Sequence, residues 1–560
     1  MTSLAVLGVL TALVLVGVLT LDEAFGGFAG PAPITVAALA IVARAVEKTG
    51  LLRRVALKLL GAAGTPRAAL VRLLAPAALL SAVLPETSVA SRLVPCALEW
   101  ATRRRLAASL LLMPLAFAIL LGGTLTLMGA AANLVVSALL EGQGHSPLGL
   151  FEPARLALPA VVAAVVLMVV AAPALLRERP EARRQLEEGG RQFTLAMRVV
   201  PGGELDGQAV EAGGLRHLQG MFLMAVERGG YFVAPVGPQL VLKGGDILTF
   251  VGRADLVVDL QTTRGLVAAE RAHVAHFDTT SHAIFEGVLG PASQLVGRTL
   301  SEVGFRGRYQ AAVVAVHRAG ERMHVKLSEV RLRRGDTLFL LADPGFAERW
   351  CDSGDFLLLT RVGSPAPLPS YRLAALPPLI LVSIAALAAT GVLALPVAAL
   401  TGAGVLVATG ALSRAEIRGA IDLDFLVTVG GSIGLATAVD KSGVAGWLAG
   451  LASGIGPLGA LAAAVVLTMA LTQVLPNLLA AALAFPVAME LAARAGPGAG
   501  ADARGFAIAV AVAASASFLT PFASRPTTMV CGPAGYRFSD FRRLGWPLAA
   551  VVAGALLLGS

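Results

Sequence analysis

Long apolar stretches, separated by short polar breaks, fill both ends of this 560-residue chain. About 20 consecutive apolar residues are enough to cross a bilayer as a helix. Only 14% of the residues are charged and 56% are apolar, whereas about 25% are charged and fewer are apolar in soluble proteins. The chain also has 62 glycines, which allow transmembrane helices to approach closely. This pattern predicts an α-helical polytopic membrane protein.

Hydropathy divides the chain into two membrane halves and a polar middle. We predict a first half over residues 1–176, two soluble domains over 190–275 and 282–366, and a second half over 370–560. The first apolar stretch lacks a basic start and a cleavage site, so it is expected to remain as a helix. The net charge of +9 comes mostly from arginines in short runs beside apolar segments. That placement is typical of membrane proteins and argues against nucleic acid as a partner.

The two membrane halves contain similar segments in the same order. The motif AVEKTG ends at residue 50 and AVDKSG ends at 443, and the segment from Glu86 is answered by the segment from Asn477. Pro95 and Pro486 keep the spacing of that second pair, which is 391 residues. Because order and spacing agree together, we interpret the halves as two copies of one unit.

Loop charges predict that the two copies are inverted. Residues 50–72 hold five basic residues, whereas 442–460 hold none. Since basic flanks mark the cytoplasmic side, the first predicted hairpin enters from the cytoplasm and the second from outside. The chain is then a multi-pass protein of the inner (plasma) membrane with cytoplasmic middle domains. Inverted repeats of this kind are typical of secondary transporters.

The polar middle is itself a tandem of two copies. Residues 229–253 alternate apolar and polar positions around a KGGD turn, and 324–343 repeat the pattern around RRGD. Asp246 and Asp336 are 90 residues apart, and the upstream segments keep the same spacing. Each copy is therefore predicted to be an α+β domain, rich in strands with a short helix. Glycine and aspartate at such turns also have a purely structural explanation.

Polar or small residues interrupt apolar helices at matching places in both halves, which is the best sequence indication of a transport site. Two interruptions, at 85–88 and 476–477, predict re-entrant hairpin tips whose backbone N–H groups face an anion. The other two, at 122–133 and 517–528, predict broken helices whose freed carbonyls hold a cation. The candidate substrate- and cation-binding residues are Glu86, Thr87, Ser88, Gly123, Thr124, Gly129, Asn133, Asn477, Thr520, Pro521, Ser524, Arg525 and Thr527.

Several of these residues have two interpretations. Glu86 is an acidic residue in a membrane segment and is a functional candidate on that ground, but it could also reach the cytoplasmic interface or pair with Arg92. Arg525 could neutralise an anion at mid-depth or extend to an interface. Asn133 and Asn477 could bind ligand or join helices. For Glu86 we consider two roles, a proton carrier or an oxygen ligand for a cation.

Signals for an enzyme are missing from the sequence. No GxSxG lies on a strand–helix turn, no HExxH occurs, and the three cysteines show no CxxC spacing. We therefore expect neither catalysis nor a metal centre, and no cofactor beyond a coupling sodium ion.

Residues 121–140 and 517–541, with the two hairpins, resemble the divalent anion:sodium symporter family of the solute carrier 13 type. Residues 291–324 and 332–343 resemble the C-terminal domain of TrkA-type regulators of potassium conductance. The resemblance implies an elevator-like carrier of sulfate, dicarboxylate or a similar anion, usually with sodium.

In that family the hairpin tips carry Ser-Asn-Thr or Asn-Asn-Thr motifs, of which Thr87 and Asn477 match here. The first broken helix keeps Asn133, and the second keeps Thr520 and Pro521. The chain departs from the family in having alanines at 130–132, and Arg-Pro-Thr at 525–527 in place of Gln-Thr-Asn.

We predict a secondary active transporter of small anions, coupled to a cation or a proton and regulated by the cytoplasmic tandem. The expected partners are a small anionic solute, the coupling ion, the lipid bilayer and a second copy of the chain in a homodimer. One alternative is a membrane sensor derived from a carrier. The other is an ion channel subunit, although a TVGYG-like filter is missing from the sequence.

Overall fold

The structure is a computed structural model, and it falls into two compact units. One unit comprises Met1–Arg179, Asp352–Leu358 and Ala366–Ser560, and the other comprises Pro180–Cys351 and Leu359–Pro365. The described residues are 2–61, 65–104, 106–178, 192–215, 221–228, 231–233, 236–253, 266–268, 283–290, 293–318, 321–322, 330–343, 345–350, 353–361, 375–452, 454–495 and 502–559.

The described residues of the first membrane half form nine α-helices. They are α1 (Thr2–Leu15), α2 (Leu21–Phe25), α3 (Pro31–Lys48), α4 (Leu51–Gly61), α5 (Pro66–Val83), α6 (Glu86–Arg103), α7 (Leu112–Gly123), α8 (Ala131–Gly142) and α9 (Ala154–Leu175). Helices α5 and α6 are the two arms of the first hairpin. Helices α7 and α8 are the two parts of the first broken helix.

The described residues of the polar middle form ten strands and two short helices. The strands are β1 (Gln192–Val199), β2 (Met221–Arg228), β3 (Tyr231–Val233), β4 (Ile247–Arg253), β5 (Leu266–Ala268), β6 (Ala283–Leu289), β7 (Ala312–Arg318), β8 (Glu321–Arg322), β9 (Thr337–Ala342) and β10 (Phe356–Arg361). The helices are α10 (Phe305–Tyr309) and α11 (Phe346–Trp350).

The second membrane half continues with ten helices among the described residues. They are α12 (Leu376–Ala389), α13 (Leu395–Ala408), α14 (Arg414–Ala420), α15 (Leu423–Lys441), α16 (Val444–Leu451), α17 (Gly456–Leu471), α18 (Asn477–Ala495), α19 (Ala503–Ala514), α20 (Arg525–Cys531) and α21 (Phe538–Gly559). Here α17 and α18 are the second hairpin, and α19 and α20 are the second broken helix.

Helices α1 to α9 correspond in order to α13 to α21, which leaves α12 as the one described membrane-half helix without a counterpart. The lengths agree closely: α1 and α13 have 14 residues each, α7 and α19 have 12, and α9 and α21 have 22. Helices α6 and α18 each contain an interior proline, Pro95 and Pro486. One helix plan is therefore used twice, and an extra helix stands between the copies.

Five described helical stretches are long and apolar enough to cross a membrane by length and composition. They are Leu21–Lys48, Ala154–Leu175, Leu423–Lys441, Asn477–Ala495 and Phe538–Gly559. The remaining apolar helices are shorter than the sequence predicted. The apolar run 107–127 becomes a helix only over Leu112–Gly123, and the run 505–520 ends as a helix at Ala514. The second break therefore begins at Ser515, before the position 517 that the sequence predicted, because Ser515 and Ala516 are themselves small.

The polar middle contains two five-stranded sheets with the same plan. Their strand orders are β3-β2-β4-β1-β5 and β10-β6-β9-β7-β8. Strands β1 to β5 correspond in chain order to β6 to β10, and with these counterparts matched the two sheets have the same strand order, read from opposite edges. The pairing of β2 with β4 is irregular between Leu223 and Ala225, and that of β7 with β9 between Val313 and Ala315. Since these positions are 90 residues apart, even the irregularity of the pairing repeats.

The repeated turn of each sheet is held by an arginine–aspartate pair. Arg228 Nη2 lies 2.6 Å from Asp246 Oδ2, and Arg318 Nη2 lies 2.8 Å from Asp336 Oδ2. Burial alone would raise the pKa of Asp246, but bonds from Arg228 and the Lys243 amide hold that pKa below its usual value. These aspartates thus have the structural role that turn chemistry suggested, and the paired arginines were not singled out from the sequence.

Candidate functional site

In each half, the second part of the broken helix packs against the hairpin of the other half. Helix α8 packs against α18 and α19, and its counterpart α20 packs against α6 and α7. Helix α9 packs directly against its own counterpart α21. Each of these contacts made by the first half thus has a counterpart made by the second half, as in an interface with two-fold symmetry. Both hairpins and both breaks belong to one interlocked core.

The first break, residues 124–130, is closed by the side chain of Asn133. Its Nδ2 donates to Thr126 O at 2.7 Å, and it lies 3.4 Å from both Gly123 O and Thr124 O. The Thr126 hydroxyl donates to Ala82 O at the end of the first hairpin arm. Carbonyls released by the break are thus largely used by one buried amide, and the break is tied to the hairpin.

Gly129 makes the closest approach between this break and the hairpin. A Cβ atom at Gly129 would lie 2.3 Å from Ser81 O and 2.6 Å from Gly123 O. No side chain fits at that spacing, because real Cβ contacts stay beyond about 3 Å. The predicted importance of Gly129 therefore has a steric explanation in the structure. The predicted hydroxyl of Thr124 points to its own helix and donates to Leu121 O at 2.6 Å.

The second break, residues 515–524, is bound to the second hairpin by Thr472 and Gln473. The Thr472 hydroxyl lies 2.5 Å from Ala514 O and 3.1 Å from Asn477 Oδ1. Gln473 Nε2 donates to Ala516 O at 3.0 Å. These contacts bring the predicted residue Asn477 beside the break, and they include two residues that the sequence analysis missed.

Gln473 has two further contacts with the same break. Its Oε1 accepts from the Leu519 amide at 3.0 Å, and its backbone oxygen accepts from the Thr520 hydroxyl at 3.0 Å. The bond from Thr520 to Gln473 is the counterpart of the bond from Thr126 to Ala82, since these atoms occupy matching places in the two halves. Gln473 lies 391 residues after Ala82, so the two residues hold matching positions in the two halves. An amide side chain in place of an alanine was the sequence signal that could have identified Gln473.

The start of α20 is a local network of hydroxyls. Ser524 Oγ accepts from the Thr527 amide at 3.4 Å and caps the helix. The Thr527 hydroxyl lies 3.2 Å from Pro521 O and 2.9 Å from Ser524 O, and Thr528 bonds the same two oxygens. The predicted residues Pro521, Ser524 and Thr527 are therefore brought together, and their polar groups are satisfied mainly by one another.

Glu86 begins α6 at the tip of the first hairpin, followed by Thr87 and Ser88 in the same turn. Its Oε2 is enclosed and has no hydrogen-bond partner among the described residues. The alternative pairing with Arg92 is not found, because Arg92 Nη2 instead lies 3.2 Å from Glu47 Oε2. The charge that acts on the Glu86 carboxylate is that of Arg525, at the start of α20.

Arg525 contacts two residues at the start of α15. Its Nη2 lies 2.6 Å from Asp422 Oδ2, and its guanidinium lies 5.1 Å from the ring centroid of Phe425. The side chain is 38% exposed. Arg525 is thus a partly exposed, already paired cation, which fits the interface interpretation better than that of a buried charge waiting for an anion.

Several enclosed oxygens at the hairpins and breaks lack a partner within the described part of the chain. In the first half they are Ser81 Oγ, Glu86 Oε2 and Asn133 Oδ1, and in the second half they are Ser515 Oγ and Ser517 Oγ. A buried polar atom without a partner is costly, so such atoms mark places where a ligand can bind. The set is rich in oxygen acceptors, which are the ligands that hard cations such as Na⁺ prefer, and which also bind protons.

Three ion pairs join the two halves at the ends of the helices. Lys48 Nζ lies 2.8 Å from Glu416 Oε1, and Lys441 Nζ lies 2.5 Å from Glu23 Oε1. These two pairs are counterparts, since lysines and glutamates are each 393 residues apart. Both glutamates also close capping boxes, at α14 and α2.

The third ion pair joins Arg504, next to the start of α19, to the loop before α9. Arg504 Nε and Nη2 each lie 2.8 Å from an oxygen of Glu152, and Nη1 donates to Ser146 O at 2.9 Å. The bond from Arg504 lowers the pKa of Glu152, although burial partly opposes this. The carboxylate therefore remains ionised at neutral pH and holds the loop to the helix.

Comparison with known proteins gives a family and relatives. The family model described as "CitMHS: Citrate transporter" matches residues 1–513. The chain is 31% identical to a "Putative sulfur deprivation response regulator" of Chlamydomonas reinhardtii, over 97% of this chain and 95% of that protein. It is 30% identical to an uncharacterized transporter of Synechocystis, over 96% and 90%.

A sodium/sulfate cotransporter of Chlamydomonas reinhardtii is 26% identical over 67% of this chain, and the chain covers 44% of that protein. The family and these sodium/sulfate relatives are transporters and not enzymes. They are also similar in kind to the divalent anion:sodium symporters that the sequence resembles. With two hairpins and two broken helices in an interlocked core, the chain belongs to the citrate transporter (CitMHS) family of membrane transport proteins.

Proposed function

We propose that the protein is a secondary active transporter of small divalent oxyanions, sulfate or dicarboxylates, coupled to a cation or a proton. The observation that carries the proposal is the group of unpartnered oxygens where each hairpin meets a break, with Glu86 Oε2 and Asn133 Oδ1 in the first half. Helices α6, α8 and α18 begin at these places, and their N-terminal N–H groups favour an anion. Acceptor oxygens for the coupling ion and donors for the anion are thus supplied by the same elements.

The halves are proposed to be inverted across the membrane. Loop charges place Lys48 and Glu416 on the cytoplasmic side, and Lys441 and Glu23 outside, and each pair is in contact. The Tyr536 hydroxyl donates to Ser109 O at 2.6 Å, and both residues lie in loops assigned to the cytoplasm. The additional helix α12 supports the same arrangement, because one extra crossing starts the second copy on the opposite side.

The middle domains, 190–275 and 282–366, are proposed to be cytoplasmic TrkA-C-like regulators, and the transporter is proposed to be an inner-membrane homodimer. Two sheets of one plan support a duplicated module. Deleting 190–366 and joining the ends with a flexible linker should leave a folded membrane unit with changed regulation and unchanged substrate preference. Loss of substrate binding in a monodisperse deletion variant would show that the module is part of the site.

The proposal is tested by counterflow in proteoliposomes, with radiolabelled sulfate, succinate and citrate as separate substrates. Exchange of external label for internal unlabelled anion should occur for at least one of them without any ion gradient. A sodium or proton gradient should then drive accumulation. If no anion exchanges, the carrier function is refuted for these substrates.

A sensor is the second candidate, because a relative that this chain covers over 95% of its length is named as a putative sulfur deprivation response regulator. A sensor should bind its anion without exchange. Equilibrium dialysis with the same labelled anions separates these functions, since saturable binding together with zero counterflow supports only the sensor.

A further inference from the structure

The two breaks are tied to their hairpins very unequally. In the first half, the hydroxyl of Thr126 donates to Ala82 O, and neighbouring Ser81 Oγ has no partner. In the second half, Thr472 and Gln473 occupy the same places and bind the break through both their side chains. A bond from a threonine hydroxyl of the break to a hairpin carbonyl is common to both halves, whereas bonds from these hairpin side chains to the break are found, among the described residues, only in the second.

Gln473 makes these bonds with both ends of its amide. Nε2 donates to Met469 O at 2.8 Å on its own helix and to Ala516 O at 3.0 Å in the break. Oε1 accepts from the Leu519 amide at 3.0 Å. One side chain thus satisfies a carbonyl and an N–H group released by the interrupted helix, and it fixes the segment between Ala516 and Leu519.

That segment leads directly into residues predicted to contact substrate. Thr520 follows Leu519 and donates to Gln473 O at 3.0 Å, and the capping network of α20 begins at Pro521. A shift of residues 516–519 would therefore move Thr520 and the start of α20 with it. The side chain of Gln473 does not need to touch the substrate to set where these groups lie.

We propose that Gln473 is a positioning residue for transport, which holds the second break against the second hairpin so that they form one preorganised half of the anion site. The inference rests on the proposed function and adds a residue to it. Preorganisation lowers the cost of ordering the site when substrate binds, so its loss should weaken binding more than it slows turnover.

The test uses the full-length protein in proteoliposomes and two substitutions. Gln473→Ala reproduces the alanine of the first half, and Gln473→Met keeps most of the volume while removing both polar ends. Gln143→Ala is the matched control, because Gln143 is exposed at the end of α8. The readouts are counterflow kinetics with the anion that the parent exchanges, and hydrogen–deuterium exchange of the peptide that contains Leu519.

Both Gln473 variants should raise KM about fivefold to tenfold, the loss expected for one or two hydrogen bonds. The maximal rate per folded transporter should stay within about twofold, and the Leu519 amide should exchange faster than in the parent. Gln143→Ala should leave all three quantities unchanged. Should Gln473→Ala fold poorly, the methionine variant carries the test.

Parental KM in Gln473→Met overturns the proposal, whether or not the Leu519 amide exchanges faster. An equal fall in maximal rate with unchanged KM also overturns it, since a positioning role in binding requires the opposite split. A parent that exchanges none of the anions refutes the proposed carrier function instead. The exchange of the Leu519 amide would still report whether Gln473 holds the break.

Discussion

The first and second hairpin regions share one backbone plan but close their breaks by different means. The first break depends on Gly129, which lies against Ser81 O, and on the amide of Asn133. The second break, residues 515–524, contains no glycine and is held by Thr472 and Gln473. Duplicated helices can thus keep their contacts while the irregular segments between them diverge, because several local solutions satisfy the same freed backbone groups.

The two hairpins also differ in the ion pairs that their second arms, α6 and α18, form. Helix α6 is joined to α3 through Arg92 and Glu47 at 3.2 Å, and Arg53 on α4 lies 3.8 Å from Glu99. On α18 the ion pair is internal, between Arg494 and Glu490 at 2.8 Å. The first hairpin is therefore joined to other helices by ion pairs that the second hairpin does not share among the described residues.

The largest expected effect concerns the sides that the two halves face. Single cysteines at Lys58, on α4, and at Gly454, between α16 and α17, should react with an impermeant thiol reagent from opposite sides of the membrane. The first site should be cytoplasmic and the second external. Labelling of both sites from one side would refute the inverted arrangement.

Gly129→Ala should be the most damaging point substitution. Its Cβ would overlap Ser81 O and Gly123 O, and overpacking in a fixed core costs about 1–3 kcal/mol. We expect transport to fall at least about tenfold and the yield of monodisperse protein to decrease. Gly142→Ala is the control, because a Cβ there has nothing within 4 Å. Equal behaviour of the two variants would show that the first break is not closed by Gly129.

Glu86→Gln sharpens the comparison of the two hairpin tips, because Asn477 already has an amide at the matching place. If Glu86 carries a proton, the variant should keep anion binding and lose the dependence of transport on pH. If Glu86 binds a cation, the apparent affinity for sodium should fall about tenfold. Counterflow and gradient-driven uptake across a series of pH values and sodium concentrations separate these cases. Parental behaviour throughout would make Glu86 an interfacial residue.

The reciprocal ion pairs should have the smallest effect. Lys48→Gln and Glu416→Gln should each lower stability by about 0.5 kcal/mol, as is typical of partly exposed pairs. Burial alone would raise the pKa of Glu416, but bonds from Lys48 and Ser413 lower it overall. The stabilisation is therefore present at neutral pH and is lost as the pH falls through the lowered pKa of the folded state.

Thermal unfolding of the two single variants and the double variant should give a coupling energy of about 0.5 kcal/mol between Lys48 and Glu416. The same double-mutant cycle at Lys441 and Glu23 should give a similar coupling energy. Coupling in only one of the two pairs would break the equivalence of the halves.

Much of the fold could be predicted from residue type and spacing alone. The spacing between AVEKTG and AVDKSG predicted the correspondence of α3 with α15, since buried helix ends of one plan keep their small and capping residues. The turn aspartates 90 residues apart predicted two similar strand-rich modules. The position of Gly129 in a break could be predicted because small residues in an apolar helix are a strong local signal.

Gln473 and the partners of Arg525 could not be predicted in this way. Gln473 lies in an apolar segment as an isolated polar residue, and its role depends on Ala516 and Leu519, more than 40 positions later in the chain. Arg525 is paired with Asp422, 103 positions away. Contacts over such distances depend on how α17 and α15 pack, which local sequence does not encode.

The sequence by itself determined which segments are apolar enough to cross a membrane, that the helical unit occurs twice and where its helices are interrupted, because hydropathy and spacing are local and additive properties. Only the tertiary structure decided that each half lends α8 or α20 to the other, and which released carbonyls are satisfied. It also decided that Glu86 Oε2 and Asn133 Oδ1 lack a partner. Hydrogen bonding depends on atoms within about 3 Å, and the residues that meet at that distance here come from opposite ends of the chain.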